Sequence, residues 1–367
     1  MAVKNSIHQQ LLVSLRQRID GLPFGSRLPT EHELCAEFGV SWTTINKVMV
    51  KLTDDGLITR TPRKGSFVMK AVKPQMPITF LLPCADFISE TNEFSYSQHT
   101  RQILKGVSQV AFEYNRRVQT VPVSPTNDKH DIDWKQLEFI NSYSKVLVHS
   151  YWYCDLFPLF KERGCKVVFV ESQVHISKFY TDYFKDWFVL TMNRVNAMEE
   201  AVRFLADHGC RRIAIAHNYL ENKGNPILDG YKSGVAKCGL QYTGWLDTLN
   251  TTDKTIAGVI SNFYKKNNFD ALLLDPYLVF KLRTQHSLNY CLGLPESVKI
   301  MADDEISYNQ RAFPSLSSME YPYEEVGRIA AQRLLKDDFR SGQQLFNARV
   351  IERESTMHKT KQLALLK

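Results

Sequence analysis

From residue 78 onward the chain repeats one pattern, and that pattern limits its possible folds more than any other feature. Short apolar runs rich in β-branched residues alternate with helical stretches. The runs are ITFLLP (78–83), VQTVPV (118–123), KVLVHS (145–150), KVVFVE (166–171), RRIAIAH (211–217), DALLLD (270–275), VKIMAD (298–303) and RVIERE (349–354). Helical periodicity falls between them, for instance over 97–115, 194–208 and 322–336. A strand that is apolar on both faces needs cover on both faces. Helices between successive strands supply it, so the pattern predicts an α/β fold with parallel sheets. Eight or more such runs exceed one comfortable sheet, which predicts two lobes. Ligands of these sheets bind beyond the strands' carboxyl ends, so the cleft between the lobes is the expected site.

The residues at those ends are polar or aromatic. Asp86, Phe94 and Tyr96 follow the first run, and His149 to Trp152 the third. Glu171 ends the fourth, Asp275 closes a later one, and Asp303 and Asp304 close another. Carboxylates accept hydrogen bonds from hydroxyls, and aromatic rings cover C–H faces, a combination that suits a polyhydroxylated ligand. The candidate effector contacts are therefore Phe94, Tyr96, Trp152, Glu171, Asp275, Asp303 and Asp304. Strand-end capping is the plainer role for any one of them. The adjacent pair Asp303 and Asp304 is the exception, since neighbouring acids repel unless something donates to them.

The first 75 residues are of another kind. They hold eleven Lys/Arg and six Asp/Glu, so five of the chain's seven excess positive charges lie in a fifth of its length. Such asymmetry predicts a module for a polyanion attached to a nearly neutral body. Ile7, Leu11, Leu12, Leu15 and Ile19 give a first helix one apolar face, and GLPFGSRLP breaks it. Thr30 and Glu33 make a capping box that starts a second helix, ended by Gly39. Ser41 caps a third, whose Ile45, Val48, Met49 and Leu52 share one side while Trp42, Thr43, Asn46, Lys47 and Lys51 point elsewhere. Two helices around a tight turn, after a supporting helix, describe a helix-turn-helix. The strand LITRT, the turn PRKG and the strand SFVMK then add a basic wing with Arg60, Arg63 and Lys64 beside Gly65.

The stretch GSRLPTEHELCAEFGVSWTTINKVMVKLTDDGLITRTPRKGSFV resembles the GntR-type winged helix over its whole length. The resemblance implies duplex DNA as partner, with Thr30, His32, Ser41, Trp42, Thr43, Thr44, Asn46, Lys47, Arg63, Lys64 and Gly65 as the contact set. The family commonly places arginines where His32, Trp42 and Asn46 stand here. Arginine pairs bidentately with guanine and asparagine with adenine, so Asn46 is expected to read an adenine. Thr43, Thr44, Lys47, Arg63 and Lys64 are expected on phosphates, which position the protein without specifying sequence. For Trp42 a packing role is the alternative.

FLADHGCRRIAIA, LGLPESVKIMADDEI, FPSLSSMEYPYEEVGRIAAQRLL and VIERES resemble successive landmarks of the LacI/galactose-repressor effector domain. That resemblance covers roughly 78–356 and implies a two-lobed, periplasmic-binding-protein-like (Rossmann-like) domain that holds a sugar or similar small molecule and dimerises. Ile227 stands where that family has an effector-gripping arginine. The expected organisation is a winged helix-turn-helix at 1–69, a linker at 70–77, the effector domain at 78–356 and a tail at 357–367.

The function expected is a ligand-responsive transcriptional regulator, a repressor by preference, bound as a homodimer to a palindromic double-stranded operator. Catalytic constellations are missing: no G-x-S-x-G elbow, P-loop, H-E-x-x-H or G-x-G-x-x-G occurs. The ten histidines show no metal spacing and the seven cysteines form no C-x-x-C, so neither a metal nor a cofactor nor a disulfide is expected. No run is long and apolar enough for a signal peptide or a membrane span, which places the protein in the cytoplasm with no membrane partner. Two other classes fit part of the pattern. One is a carbohydrate-acting enzyme with a DNA-binding head, using Asp303 and Asp304 as an acid/base pair. The other is a DNA-binding scaffold whose sensor cleft no longer binds ligand.

Overall fold

The computed structural model describes residues 7–62, 64–69, 76–89, 95–171, 180–218, 220, 224–249, 251, 255–275, 278 and 286–357. Two units result, Met1–Met76 and Pro77–Lys367. Their boundary falls in the expected linker, most of which, like the tail beyond residue 357, lies outside the described residues.

In the first unit α1 (Ile7–Asp20), α2 (Glu31–Phe38) and α3 (Trp42–Asp54) precede a hairpin of β1 (Ile58–Thr61) and β2 (Gly65–Val68). The apolar faces read from the sequence meet in one core of Leu11, Leu15, Ile19, Leu34, Ile45, Val48, Met49 and Leu52, closed by Ile58 and Val68 from the hairpin. Both arms of the capping box form: Glu33 N donates to Thr30 Oγ1 at 3.3 Å, and Thr30 N to Glu33 Oε2 at 2.6 Å. Gly39 closes α2 in the left-handed conformation that a side chain would resist. The hairpin runs from Ile58 opposite Val68 to Thr61 opposite Gly65, and Arg27 pairs with Phe67 as a third, one-residue rung.

The second unit has two six-stranded sheets. In one the order is β13-β7-β6-β5-β3-β4, built from β3 (Ile78–Leu82), β4 (Val118–Pro122), β5 (Lys145–His149), β6 (Lys166–Glu171), β7 (Phe188–Met192) and β13 (Gly342–Phe346), all parallel. In the other the order is β14-β12-β11-β10-β8-β9, with β8 (Ile213–His217), β9 (Trp245–Asp247), β10 (Ala271–Leu274), β11 (Lys299–Ala302), β12 (Ser317–Glu320) and an antiparallel β14 (Arg349–Ile351). All eight runs named from the sequence are strands. Four more, β7, β9, β12 and β13, were not read there: β9 is short, and β12 and β13 carry serines and glutamines in place of apolar residues.

The chain passes between the sheets three times, at Asn193, at Tyr321–Pro322 and at Asn347–Ala348. Asn193 ties two of these crossings together, its Nδ2 donating to Asn347 Oδ1 at 2.9 Å and its backbone N to Phe346 O at 2.8 Å. After the second crossing the helix Tyr323–Leu335 returns to the first sheet and packs along α4 (Ser95–Glu113). Their crossing is tight enough to require glycine on both sides. A Cβ on Gly106 would lie 1.9 Å from Glu324 O, and one on Gly327 2.0 Å from Ile103 O. Among the described residues no helix is long and apolar enough to cross a membrane, and all seven cysteines are free.

Candidate functional site

In the first unit, burial of Ile45, Val48, Met49 and Leu52 turns the other face of α3 outward. Trp42 is 58% exposed and so lies outside the core of the head. Thr43, Lys47, His32 and Lys64 are exposed as well. Ser41 and Thr44 do local work: Ser41 Oγ accepts from Thr44 N at 3.3 Å and shares a 2.9 Å bond with Thr44 Oγ1. Arg63 lies outside the described residues. Gly65 has φ +110°, so the backbone favours glycine at the wing's tip, and a Cβ there would sit 3.0 Å from the movable Arg27 Nε.

Two arginines outside the expected contact set line this surface. A hollow of about 730 Å³ lies between the start of α2 and the wing, lined by Arg27, Thr30, His32, Arg60 and Gly65. Amide groups of a helix start beside guanidinium groups favour a phosphate. Arg60 also donates to Glu31 and, at 3.1 Å, to Asn46 Oδ1. Asn46 is therefore held in place before DNA arrives, and reading adenine means exchanging that bond for the base. Arg27 escaped the sequence reading because it precedes α2 by four residues and joins the wing only through tertiary pairing.

In the second unit, a cavity of about 530 Å³ lies at the carboxyl ends of β3 and β5. Tyr96 and Trp152, both expected, line it together with Tyr151 and His149. Phe94 lies outside the described residues. Glu171 does not line the cavity. It is buried beneath it, accepting from Tyr151 Oη at 2.5 Å and Thr191 Oγ1 at 2.9 Å, so its role there is to fix Tyr151. Ser150, also in the wall, has φ +90° and ψ 151°, a conformation nearly confined to glycine and one that marks strain at a site. Its Oγ accepts from Trp152 N at 3.2 Å and so orients that turn.

His149 is fixed in one tautomer. Thr100 Oγ1 gives its proton to Tyr96 O at 2.7 Å, so in the 2.8 Å contact between Thr100 Oγ1 and His149 Nδ1 the ring nitrogen donates. Burial, aided by the charges of His99 and Arg194, lowers the His149 pKa to about 3. The ring is neutral, and Nε2 is a buried acceptor with no hydrogen-bond partner among the described residues.

The second lobe's wall follows from strand register. Ala216, Leu274 and Ala302 pair side by side across β8, β10 and β11, so the next residues, His217, Asp275 and Asp303, form one row. His217 Nε2 stands 2.9 Å from Asp303 Oδ2 and 3.9 Å from Asp275 Oδ2. Burial alone would lower the pKa of His217, but the Asp303 and Asp275 carboxylates outweigh it and raise it to about 9. Asp304 faces the first lobe, 3.5 Å from His99 Nε2 and 3.6 Å from Arg194 Nη2. Burial would raise its pKa, yet His99 and Arg194 hold it below the usual value, which leaves Asp304 an anion and no general acid. The repulsion expected between the two acids is thus relieved by separate partners. Arg194 covers the Tyr321 ring at 4.9 Å, and Tyr323 stacks on His99 at 4.0 Å. These partners were invisible in sequence because they come from crossings and helices far along the chain.

A winged helix with a basic tip and a two-lobed, parallel-sheet domain with a cleft define the class: a DNA-binding head of regulatory type joined to a periplasmic-binding-protein-like body. Residues 7–68 match the family model of bacterial regulatory proteins, gntR family, and residues 202–356 that of the periplasmic binding protein-like domain. The head thus matches the gntR family of bacterial regulatory proteins, and the part of the body from residue 202 to 356 matches the periplasmic binding protein-like domain. The "Probable fructoselysine utilization operon transcriptional repressor" of Escherichia coli (strain K12) is 40% identical over 67 residues, which are 17% of this chain and 28% of that protein. The chain therefore spans little more than a quarter of that curated relative. The crystal structure of the periplasmic binding ribose operon repressor protein from Lactobacillus acidophilus aligns with TM-score 0.56 at 16% identity, over 77% of this chain and 99% of that one. A transcriptional regulator CelR–cellobiose complex aligns with TM-score 0.55 at 16% identity, over 89% and 100%. At such identities the likeness is one of fold.

Proposed function

We propose that the protein is a ligand-responsive transcriptional repressor that binds a palindromic operator as a homodimer and takes a neutral sugar in the interlobe cleft. One observation carries the reading: a single chain joins a GntR-type head to a body whose first lobe holds a cavity lined by Tyr96, Tyr151, Trp152 and His149. Aromatic faces beside hydroxyl acceptors are the chemistry of sugar recognition. The cellobiose complex and the ribose operon repressor among its fold neighbours support that ligand class. His149 Nε2 would accept from a sugar hydroxyl, since no proton is left on it. Function on DNA places the protein in the cytoplasm. Asn46 reads an adenine in each half-site, and Lys47, Lys64 and Arg27 hold phosphates.

Selection of duplexes from a random pool by the full chain tests the DNA half of this reading, with a palindrome that specifies an A·T pair in each half expected. A thermal-shift screen of pentoses, hexoses and disaccharides tests the other half, with saturable stabilisation by one of them expected. Recovery of an asymmetric or sequence-blind pool overturns the operator model. No response to any sugar overturns the ligand class.

A further inference from the structure

We propose that the second lobe holds a divalent first-row transition ion, bound by His217 Nε2 and the carboxylates of Asp275 and Asp303. The three ligand atoms lie within 4.8 Å of one another. Metal–ligand bonds of about 2.1 Å place neighbouring ligands roughly 3.0–3.4 Å apart, so the trio is set slightly wide and closes by rotation of a carboxylate. The backbone places it: adjacent parallel strands stand about 4.8 Å apart, and the paired register of Ala216, Leu274 and Ala302 brings the three following residues to one level.

Two further features point to a cation. His217 Nδ1 lies 2.7 Å from the backbone carbonyl of Asn218, an oxygen that can only accept. The proton is therefore on Nδ1 and the lone pair of the neutral ring on Nε2, the arrangement of a metal-bound histidine oriented from behind. Asn218 Nδ2 in turn donates to Asp275 Oδ2 at 2.9 Å and orients that ligand. Asp303 is 2% exposed, its Oδ2 points at His217 Nε2, and its Oδ1 is buried with no hydrogen-bond partner among the described residues. A carboxylate oxygen buried and unbonded costs free energy that a cation would recover.

One imidazole and two carboxylates select mid-series ions such as Mn2+, Fe2+, Co2+ or Zn2+ over magnesium or calcium, which prefer all-oxygen sets. On binding, the ion takes the place of the Nε2 proton, which leaves to solvent. Three protein ligands leave at least one position open for water or for a hydroxyl of a bound molecule. This inference does not depend on the sugar reading, and its test uses no sugar.

Full-length protein is stripped with a chelator, dialysed and titrated with Mn2+, the free ion being read by its paramagnetic resonance signal. Mn2+ is chosen because the seven thiols would compete for zinc. The expected result is one ion per chain, with affinity reduced at least about tenfold in Asp303→Asn and in His217→Gln, each confirmed as folded by circular dichroism. Absence of stoichiometric binding to the unsubstituted protein overturns the proposal and leaves the trio bridged by a proton alone. Equal affinity in a folded variant overturns it too, by placing the ion elsewhere. Should one variant fail to fold, the other decides.

Discussion

His149 shows how a single buried residue sets a measurable property. Its pKa is depressed to about 3 in the folded chain, against 6.5 for an ordinary imidazole. Above pH 6.5 both states leave it neutral and it has no effect on stability. Below that the unfolded chain takes up the proton and the folded one does not. Stability is therefore lost as pH falls from 6.5 toward 3, at up to about 1.4 kcal/mol per pH unit from this group. Urea unfolding at pH 7 and pH 5 should show a fall about 2 kcal/mol smaller in His149→Gln than in the unsubstituted chain. At the same scale in the head, Lys47 is exposed on α3. Lys47→Ala should weaken every duplex alike and lower the slope of log affinity against log salt by about one, as measured by fluorescence anisotropy. A loss confined to one sequence would move Lys47 from phosphate to base.

Elements carry constraints that no residue shows alone. The crossing of α4 with the helix Tyr323–Leu335 works because Gly106 and Gly327 let each backbone touch the other. Gly327→Ala must push the helices apart, and overpacking of this kind costs about 1–3 kcal/mol. The expected outcome is a lower melting temperature, since the obstacle is the backbone carbonyl of Ile103. An unchanged melting temperature would overturn the close approach of the two backbones. How much was legible in the sequence also divides at this scale. The capping box at Thr30, the apolar face of α3 and all eight apolar runs could be read, because each is written in neighbouring residues. The strands β12 and β13 could not, since SSME and GQQLF are not apolar runs and gain their places by pairing, β12 with β11 and β14 and β13 with β7.

For the whole molecule the decisive quantity is the coupling between cleft and head. In the proposed repressor, linkage requires that binding at one site alter affinity at the other by the same factor in both directions, typically by about 1–3 kcal/mol in free energy. Operator titrations with and without saturating sugar, and sugar titrations with and without operator, should therefore give equal ratios. Unequal ratios would expose a missing species, and ratios of one would separate the two sites altogether. The Asn193–Asn347 bond sits where two crossings meet.

The sequence by itself determined the α/β class, the position of the head, its charge and the strand ends at which Asp275, Asp303 and Asp304 stand. These follow from periodicity, capping and composition, all short-range along the chain. Only the tertiary structure decided that His217 joins Asp275 and Asp303, that His99 and Arg194 hold Asp304, and that Glu171 serves Tyr151 from below. Those partners are tens to hundreds of residues apart, and their meeting is set by sheet register and by three crossings, which leave no mark on local sequence.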